Sequence, residues 1–161
     1  MGAPALLVIG VGNAYGRDDA AGLAAARRLA GEAGASAVLR EMSGEGTALI
    51  EAWEGADTVV LVDAVSSGAP AGTLLYLDAS AAPVPAAWFR YSTHAFGAAE
   101  AIELARVLGR LPRRLIVVGI EGARFDAGVG LSSEVAAAVE DVARRGLDAI
   151  AALGRTIATA G

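Results

Sequence analysis

Short runs of consecutive apolar residues recur along the chain, and most are separated by stretches with an apolar residue every three or four positions. The runs predict buried β-strands at residues 5–9, 37–40, 58–62, 73–77 and 115–118. The stretches predict helices at residues 19–33, 46–54 and 94–108, and a last helix that begins after Ser132. Strands and helices in this order predict a single α/β domain over residues 1–161, with a five-stranded, mostly parallel sheet in a three-layer α/β/α arrangement.

One connection is too short for a parallel crossover. Between the strand that ends near residue 62 and the strand at 73–77 lies the turn-rich sequence AVSSGAPAG, which cannot hold a helix. The fourth strand is therefore expected to run antiparallel to the third. Residues 79–91 contain two prolines and are expected to form an ordered loop.

Composition excludes several function classes. The chain carries a net charge of −5 and its arginines are scattered, which argues against a nucleic-acid partner. It contains no cysteine, which excludes disulfides and a cysteine nucleophile. It has no apolar run of about 18 residues and no recognisable signal peptide, so a cytoplasmic location without membrane contact is expected.

The first strand is followed by the glycine-rich sequence GVGNAYGRDDAAG. It partly matches a dinucleotide-binding loop, but Gly16 comes one residue late, and Asp18 and Asp19 put negative charge where a pyrophosphate would lie. Asp18 is predicted to be the N-cap of the following helix. Gly12 and Gly16 are expected to adopt conformations that side chains resist. The loop therefore suits a cation better than an anion, and a dinucleotide-binding oxidoreductase is the disfavoured alternative.

Three groups with metal-binding chemistry are predicted at one edge of the sheet. Asp19 follows the first strand, Asp63 ends the third, and His94, the only histidine, begins a helix. A helix N-terminus disfavours the imidazolium form of His94, and two carboxylates with one neutral imidazole suit a divalent transition metal. Each residue also has a structural alternative, since Asp63 could be a turn residue and His94 a hydrogen-bonded structural group.

Four blocks of sequence occur in the order found in one protein family. They are GVGNAYGRDDAAG, VVLVDAV, YSTHAFGAAEAIELARVLGRLPRR and VVGIEGARFDAGVGLSSEV, and they span about residues 6–142. The chain resembles the hydrogenase maturation proteases. The resemblance implies a mixed sheet with one antiparallel strand, and an endopeptidase that removes a C-terminal extension from the precursor of a nickel–iron hydrogenase large subunit after nickel insertion.

The resemblance also assigns residues. It implies that Asp19, Asp63 and His94 contact the metal and perform the catalysis. Nickel is expected to arrive with the precursor and to serve as the recognition signal, without being bound permanently by this chain. The residues expected to bind the substrate are Gly12, Asn13, Gly44, Glu45, Gly46 and Thr47.

The chain departs from the family pattern at three places. Ala20 stands where many members have glycine. Asp19 stands where some members have Glu, and SGEGT at residues 43–47 replaces a typical Asp-Gly-Gly-Thr, so that Gly44 falls on the acidic position and Glu45 lies beside it.

A monomer is expected. Two further alternatives are a nickel-dependent chaperone without catalytic activity and a peptidase with its own permanently bound metal.

Overall fold

The computed structural model describes residues 4–89 and 92–160, with side chains to residue 153. Its sheet has five strands in the order β2-β1-β3-β5-β4. β1, β2, β3 and β5 are parallel, and β4 pairs antiparallel with β5. This confirms the predicted mixed sheet, although β4 lies beside β5 and not beside β3. The strands are β1 (Leu6–Val11), β2 (Val38–Met42), β3 (Thr58–Val65), β4 (Leu74–Asp78) and β5 (Arg114–Glu121).

Helices cover both faces of the sheet. Leu49 and Trp53 of α2 and Ile102 of α3 pack on one face. Leu29 of α1 and residues of α4 and α5 pack on the other face, which completes the predicted three layers. The α-helices are α1 (Ala21–Ala33), α2 (Gly46–Trp53), α3 (Ala98–Leu108), α4 (Ser133–Arg145) and α5 (Leu147–Ala160). Within residues 4–89 and 92–160, no helix combines the length and the apolar character needed to cross a membrane.

Several predicted boundaries are wrong in ways that affect the site. β3 continues through Asp63 to Val65, so Asp63 does not end the strand. α3 begins at Ala98, so His94 does not begin that helix and is not at its N-terminus. α4 is not the last helix, because the chain turns at Gly146, which has a φ of +83°, and continues as α5.

A close approach between α1 and the sheet brings the first loop against β3. A Cβ atom on Gly22 would lie 2.4 Å from the carbonyl oxygen of Val62 and 2.5 Å from that of Val11. Only glycine lets the first turn of α1 lie this close to the carboxyl ends of β1 and β3. The short 3₁₀ helix that precedes α1, Arg17–Ala20, is thereby held beside Asp63.

Candidate functional site

Asp19, Asp63 and His94 line the same small cavity, with a volume of about 50 Å³. The cavity lies beyond the carboxyl ends of β1 and β3, where ligands of open α/β sheets bind. The sequence-based expectation that these three residues share one edge of the sheet is met. In the described ranges, however, no three His, Cys, Asp or Glu side chains are grouped closely enough to hold a metal ion by themselves.

Asp63 is a carboxyl group inside a central strand. Every residue of β3 is buried, and the relative exposure of Asp63 is 7%. Burial and, after it, the negative charge of Asp19 raise the pKa of Asp63 well above its usual range, against a smaller lowering by the backbone N–H of Ala64. A second carboxylate nearby makes the ionised form of Asp63 still less favourable, and a bound cation would relieve that penalty.

Asp19 is held in the 3₁₀ helix by the glycine-rich loop. The backbone N–H of Asn13 donates to Oδ2 of Asp19 at 2.9 Å. Burial raises the pKa of Asp19, and the hydrogen bond from Asn13 partly offsets that rise. Gly12 has a φ of +153°, and a Cβ atom there would lie only 2.0 Å from the carbonyl oxygen of Asp19. The expected glycine requirement is thus confirmed for Gly12.

The expectation for Gly16 is wrong. Its φ of −110° is open to any residue. The following residue, Arg17, has a φ of +53°. Within the part of the chain that the structure describes, it is the one non-glycine residue in the left-handed region. The strain of the loop therefore falls one position later than predicted.

His94 lies in the loop before α3 and reaches the β2–α2 loop. Its backbone N–H donates to Oγ of Ser92 at 3.3 Å. A Cβ atom on Gly44 would lie 3.8 Å from Cδ2 of His94 and 2.9 Å from Cγ1 of Val11. Because α3 starts four residues later, the expected effect of a helix N-terminus on the imidazole does not apply.

The β2–α2 loop contributes a wall and a helix cap. Gly44 lines the cavity, and Gly46 donates its N–H to the carbonyl of Phe96 at 2.9 Å, which ties the loop to the segment that carries His94. Glu45 is the N-cap of α2, and its two carboxylate oxygens accept from the N–H groups of Thr47 and Ala48, each at 2.9 Å. These bonds give Glu45 a structural role beside the cavity.

Asp18 does not cap α1, contrary to the sequence-based prediction. The N-cap of α1 is Ala20, which makes no side-chain cap bond. Asp18 is fully buried and accepts hydrogen bonds from Ala123, Arg124 and Ser132, in the segment that connects β5 to α4. Ser132 precedes α4 as predicted, but its hydroxyl donates to Asp18 and not to the helix.

Sequence reasoning missed most of the remaining cavity wall. Three aromatic side chains belong to it, although aromatic residues are only 5% of the chain. Trp88 and Phe89 lie in a short 3₁₀ helix, Ala86–Phe89, and Phe125 lies between β5 and α4, where no periodic signal marks them. The missed lining residues include Ser43, Ser66, Trp88, Phe89 and Phe125.

The chain matches a family model and a curated relative. The model describes hydrogenase maturation proteases and matches residues 43–149. The hydrogenase expression/formation protein HupD of Thiocapsa roseopersicina is 30% identical over 125 residues, which are 76% of this chain and 57% of HupD. The chain therefore spans less than two thirds of the length of that relative.

Solved structures share the fold over most of their length. An endopeptidase from Escherichia coli superposes with a TM-score of 0.72 at 26% identity, over 90% of this chain and 91% of that one. The [NiFe] hydrogenase maturation protease HybD from Thermococcus kodakarensis superposes with a TM-score of 0.63 at 25% identity, over 86% of this chain and 94% of the other. The predicted family resemblance is confirmed by these matches.

Proposed function

Because this chain belongs to the hydrogenase maturation protease family, we propose that it is an endopeptidase acting on the precursor of a nickel–iron hydrogenase large subunit. It removes a C-terminal extension from the precursor after nickel has been inserted. The nickel is part of the substrate in this proposal, and the chain holds no nickel permanently. The cytoplasmic location and the monomeric state expected from the sequence belong to the same proposal.

The observation that carries the proposal is the pair of carboxyl groups at the cavity. Asp19 and Asp63 both line it, and the charge of Asp19 adds to the raised pKa of Asp63. Two carboxylates in one partly desolvated site are unfavourable unless a cation joins them. A metal ion carried in by the precursor would supply that charge, and this links recognition to prior nickel insertion.

The donor set suits a first-row divalent ion whose other ligands come from elsewhere. The carboxylates are hard oxygen donors, and the His94 imidazole, which lines the same cavity, is a borderline nitrogen donor. Three such donors leave coordination positions open. The precursor fills those positions with the ligands that already hold its nickel.

The reaction is the hydrolysis of one peptide bond. A water molecule adds its oxygen to the scissile carbonyl carbon, the C–N bond breaks, and a proton passes to the departing amine. A carboxylate of Asp19 or Asp63 is in the cavity to accept the proton of the attacking water. The nickel of the substrate polarises groups that bind to it.

The backbone of the site suits a peptide substrate. Gly12 and Gly44 both line the cavity without side chains, at φ values of +153° and +99°. A substrate chain can therefore approach the backbone closely at both positions. We propose that these glycines, together with Asn13 and the residues from Glu45 to Thr47, form the binding surface for the C-terminal extension.

Mass spectrometry of the large subunit tests the proposal. The purified chain is incubated with a nickel-loaded precursor and, in parallel, with a nickel-free precursor. Only the loaded precursor should lose mass, in one step that corresponds to a C-terminal peptide. Binding of the loaded precursor without any loss of mass would instead show the chaperone alternative, and trimming of both precursors would show that nickel is not recognised.

A further inference from the structure

A buried carboxylate next to Asp19 holds two distant parts of the chain together. Oδ2 of Asp18 accepts from the N–H groups of Ala123 and Arg124, each at 2.8 Å, and from the hydroxyl of Ser132 at 2.8 Å. Oδ1 accepts from the N–H of Ser132 at 2.7 Å. Asp18 has a relative exposure of 0%, so these bonds replace all of its water.

All of these partners are donors, which explains the residue type. An ionised carboxylate only accepts hydrogen bonds, whereas an asparagine would turn an NH₂ group toward at least one N–H donor. Burial alone would raise the pKa of Asp18, but the bonds from Ser132, Arg124 and Ala123 bring it below its usual value. The side chain is therefore matched to this pocket as an anion.

The backbone around Asp18 is fixed by the same segment. The N–H of Asp18 donates to the carbonyl of Arg124 at 2.9 Å, and the N–H of Arg17 donates to the carbonyl of Gly128 at 3.2 Å. Arg17 is in the left-handed region, so the turn is strained and depends on its surroundings to keep this shape. The hydrogen bonds that join Arg17 and Asp18 to residues 123–132 act as a clamp on this turn. Asp19 is the next residue along the chain.

We infer that Asp18 is the positioning residue of Asp19, because it anchors the strained turn that directs Asp19 into the cavity without itself lining the cavity. The expected effect of Asp18 on activity rests on the proposed function. The effect of Asp18 on the position of Asp19 does not depend on that function. The two parts can therefore be tested separately.

The structure provides a reporter for the place of Asp19. The Asn13 N–H donates to Oδ2 of Asp19, so the amide chemical shift of Asn13 reports whether the carboxylate is in place. The hydrogen bonds of the Asp18 side chain run to residues 123, 124 and 132, and none of them involves Asn13. A merely structural role of Asp18 would leave the Asn13 amide unchanged in molecules that remain folded.

The experiment compares Asp18→Asn with two control variants. Asp141→Asn makes the same chemical change on an exposed residue of α4 that pairs with Arg144 and has no bond to the turn. Val142→Ala removes buried volume from the far end of α4 and controls for a general loss of stability. All variants are compared by ¹H–¹⁵N spectra and by kcat/KM on the nickel-loaded precursor, at a temperature where each is folded.

Asp18→Asn should shift the Asn13 amide and lower kcat/KM roughly 10- to 100-fold, the usual effect of removing a group that orients a metal ligand. Both controls should leave the Asn13 amide and kcat/KM near wild type. An unchanged Asn13 amide in folded Asp18→Asn would overturn the inference. A shifted amide with normal processing would uphold the positioning and overturn the role of Asp19 in the proposed function.

A second variant covers the case in which Asp18→Asn does not fold. Ser132→Ala removes one hydroxyl donor and keeps the Ser132 N–H donor, so the clamp is weakened but not broken. It should move the Asn13 amide in the same direction by a smaller amount. Absence of any movement in this variant would count against the inference.

Discussion

Asp63 and Asp19 line the same small cavity, and the pKa of Asp63 is raised first by its own burial and then by the negative charge of Asp19. The pair stores an unfavourable interaction in the folded protein, since within the described part of the chain no basic side chain lowers the pKa of either carboxyl group. Sites that carry such strain are commonly functional, because a ligand relieves it. The predicted ligand is the nickel of the precursor.

Replacement of Asp63 should separate stability from activity. Asp63→Asn keeps the shape of the side chain and removes its charge, so it should lower processing by at least about 100-fold while raising the free energy of unfolding at neutral pH. Because the pKa of Asp63 is raised in the folded state, its ionisation costs stability above its ordinary pKa of about 3.9, by about 1.4 kcal/mol for each tenfold weakening of the acid. Urea unfolding should show that the free energy of unfolding of the variant increases relative to that of wild type as the pH rises from about 4 toward neutrality.

Asp78→Asn is the matched control for Asp63→Asn. Asp78 is also buried in a strand, but it pairs with Ile116 at the opposite end of β5 and accepts a hydrogen bond from the N–H of Ser80 at 3.0 Å. Its replacement should leave processing unchanged and give no stabilisation. Equal losses of activity at both positions would show that Asp63 acts only through the fold.

His94→Ala should remove processing without loss of the fold. His94 is partly exposed in a loop, so truncation should change the free energy of unfolding by less than about 1 kcal/mol. As the only imidazole of the chain, it has no replacement, and processing of the loaded precursor should fall at least about 100-fold. A thermal melt and the mass-spectrometric assay check both statements, and trimming at the wild-type rate would remove His94 from the site.

Asp19 should tolerate a longer acid but not a neutral amide. Asp19→Glu keeps the charge and extends the reach by about one methylene, so processing should stay within about tenfold of wild type. Asp19→Asn keeps the length of the side chain and removes its charge, so processing should fall at least about 100-fold. Kinetics on the loaded precursor distinguish the two variants, and the reverse order of activities would mean that length and not charge is required.

Gly12→Ala should be far more damaging than an alanine at another glycine of positive φ. At Gly12 the added Cβ meets the carbonyl oxygen of Asp19 at 2.0 Å, and backbone must move. Gly109, at the end of α3, has a φ of +68° and nothing within 4 Å of an added Cβ, so Gly109→Ala should cost only about 1 kcal/mol. Urea unfolding should show at least twice that loss of stability for Gly12→Ala, and processing should also be lost. Equal losses of stability for the two variants would indicate that the backbone of the loop moves at little cost.

The sheet can be predicted from the sequence because its strands are continuous apolar runs. The antiparallel course of β4 follows from one connection that is too short for a helix, and the structure confirms it. The sequence predicts the end of the third strand at Asp63 because a charged residue interrupts the apolar run. In the fold, β3 is central between β1 and β5, and tertiary burial carries the strand past that residue.

The site can be predicted only where local sequence determines it. The predicted start of α3 is too early, although the Glu100 side chain, which accepts from the Gly97 N–H at 2.9 Å, is a readable signal for a start at that glycine. The role of Asp18 cannot be predicted in this way. Its partners are 105 to 114 positions away along the chain, and no local pattern records such contacts.

The isolated protein should hold little metal. Asp19, Asp63 and His94 are its proposed metal contacts, and the chain has no cysteine and no second histidine. A tightly held catalytic zinc has three tuned ligands and a supporting shell, whereas two hard carboxylates with one imidazole hold a first-row ion weakly. Weak binding is useful here, because a protease that held nickel of its own could not report whether the precursor had received any.

The protein should therefore purify with far less than one equivalent of metal by elemental analysis. Chelator treatment of the enzyme alone, followed by removal of the chelator, should leave its activity on the nickel-loaded precursor unchanged, because in the proposed function the required ion arrives with the substrate. Chelation of the precursor before mixing is the matched control and should abolish trimming. Stoichiometric metal that survives purification, with activity lost on its removal and restored by zinc, would identify a conventional metallopeptidase with a resident ion.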